Sequence, residues 1–171
     1  MNGSKERRDI FQDASGPTYC ADLIIKMKRR IEYEKVAPDA YKALSKLSEY
    51  INGTSLDKKF VELIRLRVSQ LNGCAYCIGY HGKNALKMGE SMDRVLLVSA
   101  WRRAQYFTDK EKAGLAWAEA LTMISADHVP DEVYEEARKY YDEKELVDLS
   151  YVIVSINAWN RISTSMRDIP E

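Results

Sequence analysis

A succession of helix start and stop signals constrains the fold of this chain more than any other feature of its sequence. These signals divide most of the chain into seven segments of helical character. The first runs from Pro38 to about Tyr50, and the third runs from about Cys74 to Lys87, after an Asn-Gly break and before a glycine. The other five begin at Thr54 with Asp57, Ser91, Thr108 with Glu111, Pro130, and Asp142 with Glu145.

Apolar residues within these segments recur at spacings of three and four, the period of a buried helix face. The second segment shows the pattern with Phe60, Val61, Ile64, Val68 and Leu71. The run 152–154 has strand-like residues, but the preceding cap and the length of the apolar pattern favour a helix. Alternating strand runs and a glycine-rich phosphate loop are absent from the sequence. It therefore predicts an all-α, single-domain bundle of about six to seven helices.

The charge balance excludes several classes of partner. The 171 residues include 26 Lys plus Arg and 26 Asp plus Glu, so the net charge gives no reason to expect nucleic acid or an anionic membrane as partner. No window approaches the ~18 consecutive apolar residues of a membrane helix, and no secretory signal is readable. We therefore expect a cytoplasmic protein. In that reducing compartment its three cysteines favour a catalytic or metal-binding role over a structural disulfide.

The N-terminal segment differs from the rest of the chain. Residues 1–27 are polar, contain Gly3, Gly16 and Pro17, and show no sustained period. We expect a loosely ordered extension there and a helical domain over residues 28–171. Met27 is an alternative natural start, in which case the preceding residues would not belong to the native protein.

A group of three residues that follows the Asn72-Gly73 break is the main candidate for a catalytic site. Cys74 and Cys77 are three residues apart and His81 follows four residues later, so on a helix they share one face. Backbone N–H groups and the helix dipole at a helix start stabilise a thiolate, lowering a cysteine pKa from ~8.5 to ~7 or below. A histidine one turn away can accept or donate the proton. This pattern favours peroxide reduction or disulfide exchange.

Two other interpretations of the constellation stay open. Zinc would find three ligands in Cys74, Cys77 and His81, but a structural site usually has four. The sequence has no second Cys-x-x-Cys; its other candidates are His128 and Cys20, the latter in the predicted extension. Alternatively, the two thiols are simply buried and the histidine caps the helix. We predict no metal ligands.

Glu62 is a fourth candidate, twelve residues before the cysteine pair. From the helix pattern alone it is a surface carboxylate paired with Arg65 or Lys59. The alternative is a partly buried general base that faces the cysteine turn across a helix hairpin, with its pKa raised by desolvation.

The run from Glu62 to His81 resembles the core motif of alkylhydroperoxidase D-like proteins, which belong to the carboxymuconolactone decarboxylase superfamily. The likeness extends over about residues 28–168 and includes the segments 101–102, 116–122 and 156–161. It implies an all-helical fold, a homo-oligomer such as a trimer or hexamer, and peroxidase activity without haem or flavin.

The resemblance also implies a role for each site residue. Cys77 would attack a hydroperoxide and become a sulfenic acid, and Cys74 would resolve it as a disulfide and receive electrons from an external dithiol. His81 would assist Cys77, and Glu62 would start a proton relay near Cys74. From the helix start we also expect Cys74 to be the more accessible thiol. One departure is Tyr76, which stands where well-studied peroxidase members carry a histidine, and a phenol is a poor relay at neutral pH.

Two alternative functions remain beside the thiol-dependent peroxidase or disulfide oxidoreductase. The superfamily's other branch decarboxylates a small lactone acid, but its members generally lack the cysteine pair. A non-enzymatic protein could instead change its oligomeric surface when Cys74 and Cys77 oxidise.

Overall fold

Nine α-helices and one 3-10 turn make up a computed structural model that describes residues 28–170. Within that range it contains no strand, so the predicted all-α class is confirmed. The predicted extension, residues 1–27, lies outside the described residues. The helices are α1 (Tyr33–Val36), α2 (Pro38–Asn52), α3 (Lys58–Leu71), α4 (Ala75–Lys87), α5 (Met92–Leu97), α6 (Asp109–Thr122), α7 (Ile124–Asp127), α8 (Asp131–Arg138) and α9 (Glu143–Met166), with the 3-10 turn at Val98–Ala100 between α5 and α6.

Local capping explains where most helices begin. The capping boxes predicted before α6 and α9 are both formed, by Thr108 with Glu111 and by Asp142 with Glu145. Ser91 caps α5 as predicted. At α3 the cap is Asp57, whose carboxylate accepts the Phe60 N–H at 2.8 Å, whereas Thr54 was expected to take part.

The seven predicted helices are all present, and the higher count comes from α1 and α7. Each of these has four residues and buries none of them, so neither leaves a periodic apolar signal in the sequence. Pro130, predicted at the first helical position, is instead the residue just before α8.

Helix α3 lies at the centre of the fold, where it packs against α4, α6 and α9. Helix α9 is 24 residues long and also contacts α2, α4, α6 and α8. Its run 152–154 is helical, as the capping signal predicted. The described residues include no helix that is both long and apolar enough to cross a membrane. The largest fully buried side chains of the shared core are Ile51, Leu63, Ile64, Leu66, Leu115, Tyr141, Leu149, Ile153 and Ile156.

A tight turn between α3 and α4 brings the cysteine segment under the core. Gly73 adopts φ +65°, a conformation that favours glycine, and the Cys74 N–H donates back to the Ser69 carbonyl at 3.0 Å. The Asn72 amide donates to Asn157 and Asn160 of α9 at 3.0 and 2.9 Å. These bonds fix the α3–α4 hairpin against the longest helix.

Candidate active site

The two cysteines of the motif are joined by a disulfide, with Cα atoms 5.3 Å apart. Cys74 is the N-cap residue of α4 and Cys77 lies in its first turn. The Cys77 N–H points at the Cys74 sulfur at 3.4 Å. The same N–H group is available to stabilise a thiolate on Cys74 when the bond is reduced.

Solvent access to the two sulfurs differs from the expectation. Cys74 is 2 % exposed and Cys77 is 4 % exposed, so both are buried in the chain. Cys77 lines an open cavity, whereas Cys74 is not among the residues that line it. The prediction that Cys74 is the more accessible thiol is therefore wrong. The reason is the α3–α4 turn, which holds Cys74 by its backbone against Ser69 and, through Asn72, against α9.

Glu62 and His81 form a buried hydrogen-bonded pair across the α3–α4 hairpin. The distance from His81 Nδ1 to Glu62 Oε2 is 2.8 Å, and the two residues are 8 % and 3 % exposed. An ionised carboxylate only accepts hydrogen bonds, so the Nδ1–H of His81 donates. In the neutral ring the proton-accepting nitrogen is then Nε2. The pair thus presets His81 for proton transfer at Nε2.

The environment of Glu62 lowers its pKa, contrary to the expected rise. Burial is the largest influence and raises the pKa, but the hydrogen bond and charge of His81 and the pairing with Arg65 together outweigh it. The Arg65 guanidinium donates to Glu62 Oε1 at 2.7 Å, on the carboxylate oxygen that His81 does not use. Glu62 is therefore ionised near neutral pH and orients its partners.

The position of Glu62 confirms one part of each prediction made for it and contradicts another. It is paired with Arg65 as expected of a surface carboxylate, yet it is buried. Glu62 does face α4 across the hairpin, and its contact there is the ring of His81. The resemblance had instead implied a proton relay that starts near Cys74.

A cavity of about 380 Å³ opens above Cys77 and His81. Helices α2, α3, α4 and α9 all contribute to it, together with α1. Its aromatic lining residues are Tyr33, Tyr41, Tyr76, Tyr80 and Trp159, and its charged ones are Glu49 and Arg65. Cys77 and His81, which the sequence singled out, therefore line a single ligand-sized cavity.

Tyr76, the departure from the peroxidase motif, belongs to the wall of this cavity. Its ring stacks on Tyr80 with centroids 6.2 Å apart and an angle of 15° between planes. Tyr80 in turn meets His81 edge to face at 5.2 Å. Tyr76 thus reaches the imidazole through one intervening ring.

Most residues of the cavity wall were not predicted from the sequence. Tyr33, Tyr41 and Trp159 lie far from the cysteine motif in the chain, so spacing could not connect them to it. Tyr80 was recoverable, because it lies three residues after Cys77 on the same helix face. Across residues 28–170 there is no group of three or more His, Cys, Asp or Glu side chains placed to hold a metal ion.

The domain is all-helical, and its α3–α4 hairpin carries both the buried Glu62–His81 pair and the Cys74–Cys77 disulfide. The sequence profile of the carboxymuconolactone decarboxylase family matches residues 38–120. The uncharacterized protein YdfG of Bacillus subtilis is 41 % identical over 140 residues, which is 82 % of this chain and 95 % of that protein. The chain therefore belongs to the carboxymuconolactone decarboxylase family, as one of its AhpD-like members.

Two solved structures share the fold of this chain. A protein of unknown function from Agrobacterium tumefaciens, described as a candidate antioxidant defence protein AhpD, superposes with a TM-score of 0.82. It is 37 % identical, and the match covers 84 % of this chain and 99 % of that one. The debrominase Bmp8 shares the fold at a TM-score of 0.69 and 21 % identity, covering 78 % of this chain and 72 % of that one. At that identity the likeness to Bmp8 shows a shared fold.

Proposed function

We propose that this protein is a thiol-dependent peroxidase that reduces organic hydroperoxides with electrons from an external dithiol. The observation that carries the proposal is the shared cavity of Cys77 and His81, with His81 held by a buried, ionised Glu62. A peroxidatic thiol needs a substrate space and a proton-transfer group, and Cys77 has both.

The first step is attack by Cys77 on the peroxide. His81 takes the thiol proton at Nε2, and the Cys77 thiolate attacks the terminal peroxide oxygen. The O–O bond breaks, the sulfur becomes a sulfenic acid, and the alkoxide leaves with the proton from His81. Peroxide and thiol are thereby converted to alcohol and sulfenic acid.

The second step closes the disulfide. The Cys74 thiol attacks the Cys77 sulfenic acid, and the hydroxyl leaves as water with the thiol proton. In the closed disulfide the two Cα atoms are 5.3 Å apart, within the normal range for such a bond.

The third step returns the pair to the reduced state. One thiol of an external dithiol attacks the disulfide and forms a mixed disulfide with the protein. The second thiol of the donor then attacks this mixed disulfide, which frees the protein thiol and releases the donor as its own disulfide. The burial of Cys74 favours entry through the cavity at Cys77, with Cys74 leaving as a thiolate next to the Cys77 N–H. The resemblance had implied entry at Cys74. A reducing cytosol would supply the donor.

The cysteine pair also favours this activity over decarboxylation of a small lactone acid, which makes no use of a disulfide. No specific contact in the described residues favours a purely non-enzymatic role.

Peroxide consumption tests the proposal directly. The purified protein is given tert-butyl hydroperoxide and dithiothreitol, and the remaining peroxide is measured over time against a protein-free control. We expect catalytic turnover in the natural protein, its loss in Cys77→Ser, and its retention in Cys20→Ser, the matched removal of the third thiol. Absence of turnover in the natural protein, or full activity of Cys77→Ser, would refute the proposal.

A further inference from the structure

The cavity above Cys77 is walled by two groups of aromatic rings. In one group Tyr41 meets Trp159 edge to face with centroids 5.3 Å apart, and Tyr33 lies 6.2 Å from Tyr41. In the other group Tyr76 stacks on Tyr80, which meets the ring of His81. All five aromatic residues line the cavity.

Two of these rings are fixed by hydrogen bonds at their polar ends. The Tyr33 hydroxyl donates to Asp168 at 2.9 Å, and the Trp159 indole N–H donates to the Ser48 hydroxyl at 3.2 Å. Their ring surfaces are therefore held in place before any ligand enters. A preformed wall spares the ligand the cost of ordering these side chains.

The rest of the lining is poor in aliphatic surface. Ile156 is the one residue with an aliphatic hydrocarbon side chain among those the described chain places around the cavity. The others are mainly hydroxyl and amide groups: Ser45, Ser48, Asn52, Ser155 and Ser163. An acyl chain would find little to pack against, whereas a ring finds faces and edges suited to aromatic pairing.

The size of the cavity fits one substituted ring. A cavity of about 150 Å³ is sufficient for benzene in a well-studied engineered protein, and the volume here is about 380 Å³. The remaining space accommodates the peroxide group and the carbon that carries it, next to Cys77.

From these observations we infer that the cavity selects hydroperoxides that carry an aromatic ring next to the peroxide-bearing carbon. The inference rests on the proposed peroxidase function and names its substrate class. The ring of the substrate packs against these aromatic side chains, and its peroxide group is placed at Cys77. The outer oxygen passes to the Cys77 sulfur, the O–O bond breaks, and the aryl-substituted alcohol leaves with a proton from His81.

A matched pair of substrates tests the selection. Cumene hydroperoxide differs from tert-butyl hydroperoxide by one phenyl group in place of a methyl group. We expect kcat/KM to be about tenfold or more higher for cumene hydroperoxide, after correction for the rates of both peroxides with dithiothreitol alone. Equal corrected values would overturn the inference.

Variants of the aromatic residues that line the cavity test whether these residues cause the preference for cumene hydroperoxide. Trp159→Leu and Tyr41→Leu each remove one ring of the same group and should lower the ratio of the two kcat/KM values several-fold. Tyr106→Leu removes a half-exposed ring that does not line the cavity and should leave the ratio as it is. An unchanged ratio in both wall variants would place the selection elsewhere and refute the assignment.

A binding measurement separates this inference from the proposed function. The inert alcohols 2-phenyl-2-propanol and tert-butanol are titrated against the protein while its tryptophan fluorescence is recorded. We expect a saturable change with the aryl alcohol alone, lost in Trp159→Phe. If neither peroxide turns over but the aryl alcohol binds selectively, the peroxidase proposal fails and the aromatic preference stands. If both peroxides turn over equally and neither alcohol binds preferentially, the aromatic preference fails alone.

Discussion

Glu62 is buried between two basic partners, Arg65 on its own helix and His81 on the next. Oε1 of Glu62 accepts from Arg65 at 2.7 Å, and Oε2 accepts from His81 at 2.8 Å. A carboxylate held in this way acts as a positioning group, because it fixes the ring of His81 and leaves Nε2 for chemistry. Its negative charge also contributes to the free energy of unfolding.

Removing that charge should destabilise the fold in a pH-dependent manner. Glu62→Gln should lower the free energy of unfolding at pH 7 by about 1–3 kcal/mol, since two buried donors lose an ionised acceptor. The pKa of Glu62 is lowered in the folded chain from its ordinary 4.5, so its contribution is present above that pH and is lost as the pH falls through the folded-state value. Urea unfolding at pH 7 and at pH 3.5 measures the difference.

The control for this experiment is Glu132→Gln, an exposed acid whose replacement should change stability by no more than about 0.5 kcal/mol. A Glu62→Gln deficit that is the same at both pH values would show that Glu62 contributes by shape and not by charge.

At the scale of elements, α3 and α6 approach each other closely at Gly114. A Cβ atom built there would lie 2.5 Å from the Tyr141 hydroxyl and 3.0 Å from the Phe60 ring. The Tyr141 hydroxyl is itself fixed, since it donates to the Lys110 carbonyl at 2.8 Å. A Cβ atom at position 114 therefore fits only if the side chain of Tyr141, which lies between α8 and α9, or that of Phe60 shifts.

Gly114→Ala should destabilise the protein by about 1–3 kcal/mol despite the better helix propensity of alanine, because the added methyl overpacks the contact. Gly82→Ala is the matched control, since that helical glycine has its nearest neighbour atom at 3.9 Å. It should be stabilising by up to about 1 kcal/mol. Thermal unfolding of both variants checks the prediction, and a neutral Gly114→Ala would mean that Tyr141 can move aside.

The elements themselves were predictable because their determinants are local. Caps such as Thr108 with Glu111 lie within four residues of each other, and the apolar period of α3 is visible in its own sequence. The site was only half predictable for the same reason. Cys77 and His81 share one helical turn, whereas the ring of Trp159 reaches them through packing of α9 on α4 and α2. The lowered pKa of Glu62 likewise depends on contacts that the spacing did not reveal.

At the scale of the whole molecule, α9 carries an apolar stripe on its outer face. Val147, Tyr151 and Val154 are 52, 47 and 52 % exposed and are spaced four and three residues apart, so they lie on one side of the helix. Exposed apolar surface of this kind is typical of an interaction site. It supports the predicted homo-oligomer, which stays a prediction.

We expect light scattering at micromolar concentration to give three or six times the mass of one chain. Val154→Glu should reduce that mass if the α9 stripe is the interface, while Val36→Glu, at a position that is 74 % exposed outside α9, should not. A monomer mass for the natural protein would contradict the prediction.

In the proposed mechanism Cys77 attacks the peroxide and Cys74 closes the disulfide. Trapping of the sulfenic acid with dimedone tests these roles. The Cys74→Ser and Cys77→Ser proteins are treated with tert-butyl hydroperoxide and dimedone, and peptide mass spectrometry locates the adduct. We predict a dimedone adduct on Cys77 in the Cys74→Ser protein and none on Cys74 in the Cys77→Ser protein. An adduct on Cys74 in Cys77→Ser, with none on Cys77 in Cys74→Ser, would show that the two sulfurs have the opposite roles.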